Sequence, residues 1–381
     1  DAVAGAELVF LDIEPAEVYP AATAHIPEMI ALIRRLLDNG SAYKSDDGSI
    51  YFDIAKFKGY GKLAHIEAGG LRAGARVAQD EYDKENASDF ALWKARDEAD
   101  GDIAWDSPWG RGRPGWHIEC SAMSMKYLGE SFDLHTGGLD NMFPHHENEI
   151  AQSEAATGKP FVRYWMHCGY LVVSGKKMSK SLGNFYTVRD ILDKGYAGRE
   201  MRYVLLSAHY RQPLNFTLEA MAAARSSLAR IDELTARLAE KAGGSGGAAG
   251  AVPGWAEKGM GQFVAALDDD LAAPEAMGAI FDMIHAGNRA LDAGEIGPGS
   301  AGAVLALIGD MDRVFGFLKK PEDPADADVM RLVEEREKAR KAKDWKASDR
   351  LRDEIAALGW IVKDTPQGPK PRKKETLDHR H

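Results

Sequence analysis

Cysteine is nearly missing from this chain: 381 residues contain two, Cys120 and Cys168. A disulfide framework is thereby excluded. There is no run of about 18 apolar residues that could span a bilayer, and no secretory signal segment. A cytoplasmic protein with no membrane partner is expected. Internal repeats are also absent. Positive charge is in deficit, with a formal net charge of −11, which on total charge alone argues against a nucleic-acid partner. The local distribution outweighs that total. Basic clusters stand at Arg336-Glu337-Lys338-Ala339-Arg340-Lys341-Ala342-Lys343 and at Lys370-Pro371-Arg372-Lys373-Lys374. Read by themselves, they are a solvated helix face and a loose tail. A hydrophobic content of 45% with 28% charged residues is enough to build cores in two to four domains.

The most informative stretch is Lys177-Met178-Ser179-Lys180-Ser181, followed by Leu182-Gly183-Asn184. It comes just after the apolar run Tyr170-Leu171-Val172-Val173, which reads as a strand. Such a loop can wrap a polyphosphate: two ammonium groups neutralise its oxygens, hydroxyls and backbone N–H groups fill the other acceptor sites, and Gly183 permits a tight path. An ordinary basic surface turn has the same composition. The five-residue word is, however, similar to the signature loop of class I aminoacyl-tRNA synthetases. That resemblance implies activation of an amino acid by ATP, with pyrophosphate leaving.

A second constellation lies in Gly115-Trp116-His117-Ile118-Glu119-Cys120 and Phe143-Pro144-His145-His146-Glu147-Asn148-Glu149. Pro144 and the acidic residues after it suit a helix start. On that helix His145 and Glu149 are four residues apart and share a face, about 6 Å apart along the axis. Cys120 brought alongside would complete a sulfur, nitrogen and oxygen donor set that suits zinc. Taken singly, a buried structural cysteine and a capped, solvated helix start are the preferred readings. The order and spacing differ from the His-Glu-x-x-His metalloprotease word, so no protease is read.

Together with the His-x-Gly-Gly-x-Asp stretch from His135 to Asp140 and Asp364-Thr365-Pro366-Gln367-Gly368 near the C-terminus, these words resemble the cysteinyl-tRNA synthetase family over nearly the whole chain. In that family a zinc ion held by two cysteines, a histidine and a glutamate receives the thiol of substrate cysteine. Cys120, His145 and Glu149 match three of those ligands. Cysteine and serine differ by sulfur for oxygen, and a pocket that selects by size gains only about 1–3 kcal/mol from so small a difference. Zinc binds a thiolate strongly and a hydroxyl weakly, so the metal would discriminate by softness. The resemblance further implies that Lys177 and Lys180 stabilise the leaving pyrophosphate and that magnesium accompanies ATP. L-cysteine and tRNA(Cys) are the expected partners, and a monomer is the expected state.

Two features of the family are not found. Its fourth zinc ligand and its His-Ile-Gly-His word both belong to the first nucleotide-binding half. His25-Ile26-Pro27-Glu28 has a superficial likeness to that word, but Met29-Ile30-Ala31-Leu32-Ile33 continues it as an amphipathic helix. Cys168 reads as a small core residue of the strand before the lysine loop. An absent N-terminal portion and a catalytically incomplete polypeptide are therefore expected.

The fold expected is an α/β nucleotide-binding domain, Rossmann-like and of the class I synthetase type, incomplete at its N-terminus. It would carry a mixed insertion and an all-α C-terminal tRNA-binding region. Residues 1–24 read as a remnant of the first half, 25–104 as the insertion, and 105–200 as the second half with the metal residues and lysine loop. Residues 201–320 read as a helical bundle, 325–368 as an anticodon-binding module and 369–381 as a basic tail. Helices are predicted at Ile26–Leu37, Trp116–Leu128 (ending at Gly129) and from Thr217, where Met221, Leu228, Ile231, Leu234 and Leu238 recur on one face. Gly243 to Gly250 reads as a flexible connector.

Strands are predicted at Ser131–Leu134 and Tyr164–Val173, in the rhythm of a parallel sheet whose ligands gather at the carboxyl ends of its strands. His135, Gly137, Gly138 and Asp140 stand at one such end. With Lys177, Met178, Ser179, Lys180 and Ser181 they form the expected ATP site, although a plain Gly-Gly turn has the same sequence. Trp116 is either core or the wall of the amino-acid pocket. Trp345 and Trp360 are candidates for stacking on bases, with core packing the preferred role for each. Two rival functions share parts of this pattern: a ligase joining cysteine to an amino sugar, and a non-catalytic zinc- and RNA-binding fragment.

Overall fold

The computed structural model describes residues 10–65, 89–97, 101–179, 182–243, 250–319, 324–342, 344–365 and 368–373. The chain divides into two compact units, Asp1–Phe317 and Leu318–His381.

In the first unit, helix α1 spans Ile26–Asp38. Met29, Ile33 and Leu36 recur at helical spacing and are fully buried, while Pro27 occupies the first turn, where its missing N–H breaks no bond. His25 precedes it. The His25 ring bonds the Ala21 carbonyl at 2.7 Å and the Tyr127 hydroxyl at 2.9 Å, a structural role for this histidine. Four short strands follow, β1 (Ala42–Lys44), β2 (Ile50–Phe52), β3 (Phe90–Ala95) and β4 (Gly112–Pro114), in one antiparallel sheet of that order. The sheet thus runs past residue 104. Helix α2 is Trp116–Leu128 and stops at Gly129, with φ 93°. Strand β5 (Phe132–Gly138) pairs in parallel with β6 (Val162–Cys168), and helix α3 (Glu147–Thr157) lies between them in sequence. Helices α1, α2 and α3 share a single apolar core with β1, β2 and β3. The segment expected as an insertion thus shares one core with the helices that carry the metal-type residues.

The strand expected over Tyr164–Val173 is two strands in different sheets. β6 ends at Cys168 and β7 is Leu171–Val173. The break is made at Gly169, whose N–H donates to the Tyr210 carbonyl at 2.6 Å. A Cβ on Gly169 would lie 2.4 Å from the Gln212 oxygen, so only glycine lets the chain pass there. β7 pairs antiparallel with β8 (Lys176–Lys177) and parallel with β9 (Leu214–Phe216). Cys168 is exposed, against the expectation of a core position. Its neighbour His167 points inward, and strand alternation sends Cys168 to the opposite face.

Helices α4 (Val188–Asp193) and α5 (Gly198–Leu206) lead to the bundle. Its members are α6 (Leu218–Ala242), α7 (Gly254–Asp268), α8 (Ala273–Asp292) and α9 (Pro298–Phe315). Thr217 caps α6 by accepting from Ala220 N at 3.0 Å, and Met221, Leu228, Ile231, Leu234 and Leu238 are all buried along it. Of the expected connector, residues 244–249 lie outside the described residues.

The second unit packs α10 (Pro324–Lys341) on α11 (Trp345–Ala357), and β10 (Trp360–Thr365) pairs antiparallel with β11 (Gly368–Lys373). Three expectations change here. The basic segment read as a tail is a paired strand as far as Lys373. Arg336 is buried rather than solvated, because it follows Val329 and Val333 at helical spacing on the packed face. Trp345 is 60% exposed, since it opens the first turn of α11, whereas Trp360 packs against the core of Val329, Leu332, Val333, Leu351 and Ile355.

Candidate metal centre and anion loop

Helix α2 supplies His117 and Cys120 from its first turns, and α3 supplies Glu149. The chain enters α3 through a π-helical turn, Met142–His146, which turns both His145 and His146 into the interior. Donor atoms of Cys120, His145 and Glu149 all lie within 4.8 Å of one another. The three residues that the spacing could only suggest are thus brought together. Glu149 Oε1 is 2.9 Å from His145 Nε2, and Oε2 is 3.7 Å from His135 Nε2. His135 and His146 form a second three-residue group with the same carboxylate. His135, expected beside adenosine, therefore stands in the histidine cluster.

Two tryptophans cover the imidazoles. Trp116 stacks on His145 with centroids 4.2 Å apart and planes 14° apart, and Trp165 stacks on His135 at 4.7 Å. Trp116 is half exposed, which rules out a purely core role. His117 Nδ1 sits 2.8 Å from His145 Nδ1, and His146 Nδ1 sits 2.8 Å from His167 Nε2. A cation held between Glu149 and the His145 Nε2 lone pair would leave the His145 proton on Nδ1, where it can be donated to His117. Gly137 is required by this packing: a Cβ there would lie 2.5 Å from His146 Cε1. The close approach that this glycine allows is to an imidazole of the chain itself. Gly138 ends β5, and Asp140 lies exposed in the short helical turn Leu139–Asn141.

The electrostatics favour unprotonated nitrogen. Burial pushes the His146 imidazole down to about 3, helped by His135, His167 and His145 nearby. Burial also lowers His135, against the opposing pull of Glu149, and it lowers His167. Burial first, then the Glu149 and Glu119 carboxylates, push the Cys120 thiol up to about 12. Glu149 is fully buried, and neither of its oxygens receives a well-directed hydrogen bond. A buried carboxylate in this state, facing a thiol and imidazole lone pairs, fits a cation of zinc type bound at Cys120, His145 and Glu149.

The lysine loop is carried by the separate β7–β8–β9 sheet. Lys177 is exposed, and Met178 packs into the core formed by Val173, Ile191, Val204, Phe216 and Met221. Ser179 N–H donates to Asn184 Oδ1 at 2.9 Å, so this backbone group is already engaged by the chain. Lys180 and Ser181 lie outside the described residues.

His117, His146, His167 and Trp165 were not singled out by the sequence. His117 and His146 do stand inside words that carry the resemblance. His167 and Trp165 reach the site only through parallel pairing, which sets His135 opposite Trp165 and Gly137 opposite His167.

The fold has known counterparts. Mycobacterium tuberculosis methionyl-tRNA synthetase in complex with methionyl-adenylate superposes with a TM-score of 0.61, at 15% identity, covering 87% of this chain and 79% of that one. A Campylobacter jejuni protein described as a putative arginyl-tRNA synthetase superposes with a TM-score of 0.54 at 13% identity, covering 82% and 65%. The architecture is that of a class I aminoacyl-tRNA synthetase: a catalytic α/β domain followed by helical domains. Residues 4–226 match the pattern of the "tRNA synthetases class I (C) catalytic domain", residues 262–319 that of the DALR domain, and residues 322–370 that of the "Cysteinyl-tRNA ligase anticodon binding domain". A protein of Chlamydia abortus named cysteine--tRNA ligase is 47% identical over 371 residues, covering 96% of this chain and 78% of the relative. One of the same name from Protochlamydia amoebophila is 48% identical over 372 residues, covering 96% and 77%. This chain belongs to the cysteine--tRNA ligase family. Among the described residues, no helix is long and apolar enough to cross a membrane.

Proposed function

We propose that this protein is a cysteine--tRNA ligase that activates L-cysteine with ATP to cysteinyl-adenylate and transfers the cysteinyl group to tRNA(Cys). The observation that carries the amino-acid choice is the convergence of Cys120, His145 and Glu149 around a buried carboxylate. Zinc bound there supplies a soft Lewis acid that favours the substrate's thiolate over serine's hydroxyl. His145 is oriented by His117, and Trp116 lies at the exposed edge of the cluster as a wall of the amino-acid pocket. In the first step the cysteine carboxylate attacks the α-phosphate of ATP, and Lys177 and Lys180 stabilise the pyrophosphate as it leaves. Gly138, which ends β5, and Asp140 in the turn after it are assigned to the nucleotide together with the loop from Lys177 to Ser181, and magnesium accompanies ATP. In the second step the terminal ribose hydroxyl of the tRNA accepts the cysteinyl group. Positioning and charge stabilisation carry the rate, because little covalent chemistry is asked of the protein.

The helical bundle and the C-terminal module are assigned to the tRNA. Their presence favours a tRNA enzyme over a ligase that joins cysteine to an amino sugar, which has no anticodon to bind. Action in the cytoplasm as a monomer belongs to the same reading. Cysteine-dependent exchange of labelled pyrophosphate into ATP tests it in the full-length protein. Exchange is expected, and Lys180→Ala is expected to abolish it; exchange unchanged in that variant would remove the lysine's role. Selectivity is tested separately, and a preference for cysteine over serine that survives zinc removal would refute discrimination by the metal.

A further inference from the structure

Two asparagines that the proposed reaction does not use frame the lysine loop. Asn215 Oδ1 accepts from Gly175 N–H at 2.8 Å, holding the turn between β7 and β8. Asn184 lies beyond the loop, and its side chain turns back across it. Its Oδ1 accepts from Ser179 N–H at 2.9 Å, and its Nδ2 donates to the Lys177 carbonyl at 3.1 Å. Leu182 N–H donates to the Ser179 carbonyl at 3.2 Å, and Gly183 at φ 65° gives the bend that brings Asn184 home. A primary amide both donates and accepts from one planar group, which lets it bridge an N–H and a C=O of one strand end in this way. Met178, between the two bridged residues, is anchored from below in the apolar core.

We propose that Asn184 is a positioning residue of the anion loop, whose amide fixes the Lys177–Ser179 limb in a single shape before any phosphate arrives. This rests on the reading of Lys177 as a group that stabilises the leaving pyrophosphate. An exposed limb carrying Lys176 and Lys177 side by side gains nothing from its own charges by lying still. If the limb were free, its ordering would be charged to the transition state, where the lysine must be in place. Freeing one or two residues corresponds to a loss of about 10- to 100-fold in rate.

The test compares Asn184→Ala, Asn184→Asp and Lys177→Ala in the full-length enzyme with its metals. It reads pyrophosphate exchange, amide hydrogen exchange at Ser179, and thermal unfolding. Asn184→Ala is expected to lower kcat for exchange by about 10- to 100-fold, with KM for cysteine and the unfolding temperature held near wild type. Protection of the Ser179 amide falls with it. Asn184→Asp keeps the acceptor for Ser179 N–H but loses the donor to the Lys177 carbonyl; it is expected to restore the protection and leave the rate low. Loss of exchange in Lys177→Ala with wild-type kcat in Asn184→Ala would overturn the proposal, whether or not the Ser179 protection falls. If Asn184→Ala loses the protection but neither it nor Lys177→Ala alters exchange, the positioning role falls through the reading of Lys177 and not through the geometry of Asn184.

Discussion

Replacing Glu149 with glutamine should change stability in opposite directions with and without zinc. The carboxylate is fully buried, with one imidazole nitrogen at 2.9 Å and a second at 3.7 Å, and no lysine or arginine among its described ion pairs. Burying such a group costs several kcal/mol, of which one short contact to a histidine returns about 1.5–3 kcal/mol. Glutamine keeps the shape and removes the charge. The metal-free protein should therefore gain about 1–2 kcal/mol, read as a rise of about 2–6 °C in the unfolding of the catalytic unit. In zinc the order reverses. Outer-shell partners of a metal typically change its affinity by about 10- to 100-fold, and a direct ligand should exceed that. With zinc in excess, a 100-fold loss of affinity withdraws about 2.7 kcal/mol of ligand stabilisation, more than the gain from removing the charge. Thermal scans with zinc and with a chelator, on wild type and Glu149→Gln, give the four values needed. A shift of the same sign and size in both conditions would falsify the metal assignment, because it would show that Glu149 acts through packing alone.

Two further outcomes follow from the neighbouring histidines. His146 is held at about 3 from an ordinary 6.5, so the folded protein binds fewer protons than the unfolded chain in that interval. Its contribution is present above about 6.5 and is lost as the pH falls toward 3. Urea titrations of the metal-free protein from pH 7.5 to 5 should show this fall, and His146→Gln should flatten it; parallel profiles would refute the cause. His117→Ala should weaken zinc about 10- to 100-fold by releasing the Nδ1 proton of His145, measured by competition with a chromophoric chelator. An unchanged affinity would show that His145 needs no partner to hold its tautomer.

The sequence made local geometry legible and left non-local pairing hidden. Helix α2 ends at Gly129, and α6 begins after Thr217, because caps and helical periodicity are written within a few residues of each other. His145 and Glu149 were placed on one face for the same reason. Cys168 was misplaced because strand alternation fixes a side chain's face only relative to its neighbours. The pairing that makes His167 the inward residue joins segments some thirty positions apart. The break at Gly169 was equally invisible, since it is imposed by Gln212 pressing on the chain. Arg336 was read as solvated because a basic run suggests water. Its heptad-like spacing from Val329 carried the better signal, and the packed face of α10 followed the spacing.

The same burial bears on the proposed uptake of a cation at this site. Burial of each group raises the Cys120 thiol, with Glu149 and Glu119 adding to the shift, and lowers His135 and His146. His135 and His146 are thereby kept neutral at neutral pH, each with one lone-pair nitrogen. The thiol, in contrast, is held back from ionising until a positive charge sits beside it, so uptake of a divalent ion and release of the Cys120 proton are one event. Apparent zinc affinity should then rise with pH well above neutrality, by up to tenfold per pH unit from this thiol alone. Cys120→Ala should remove that slope as well as lower the affinity. A slope that persisted in the variant would mean that the proton comes from elsewhere, and an unchanged affinity would mean that the sulfur is not a ligand.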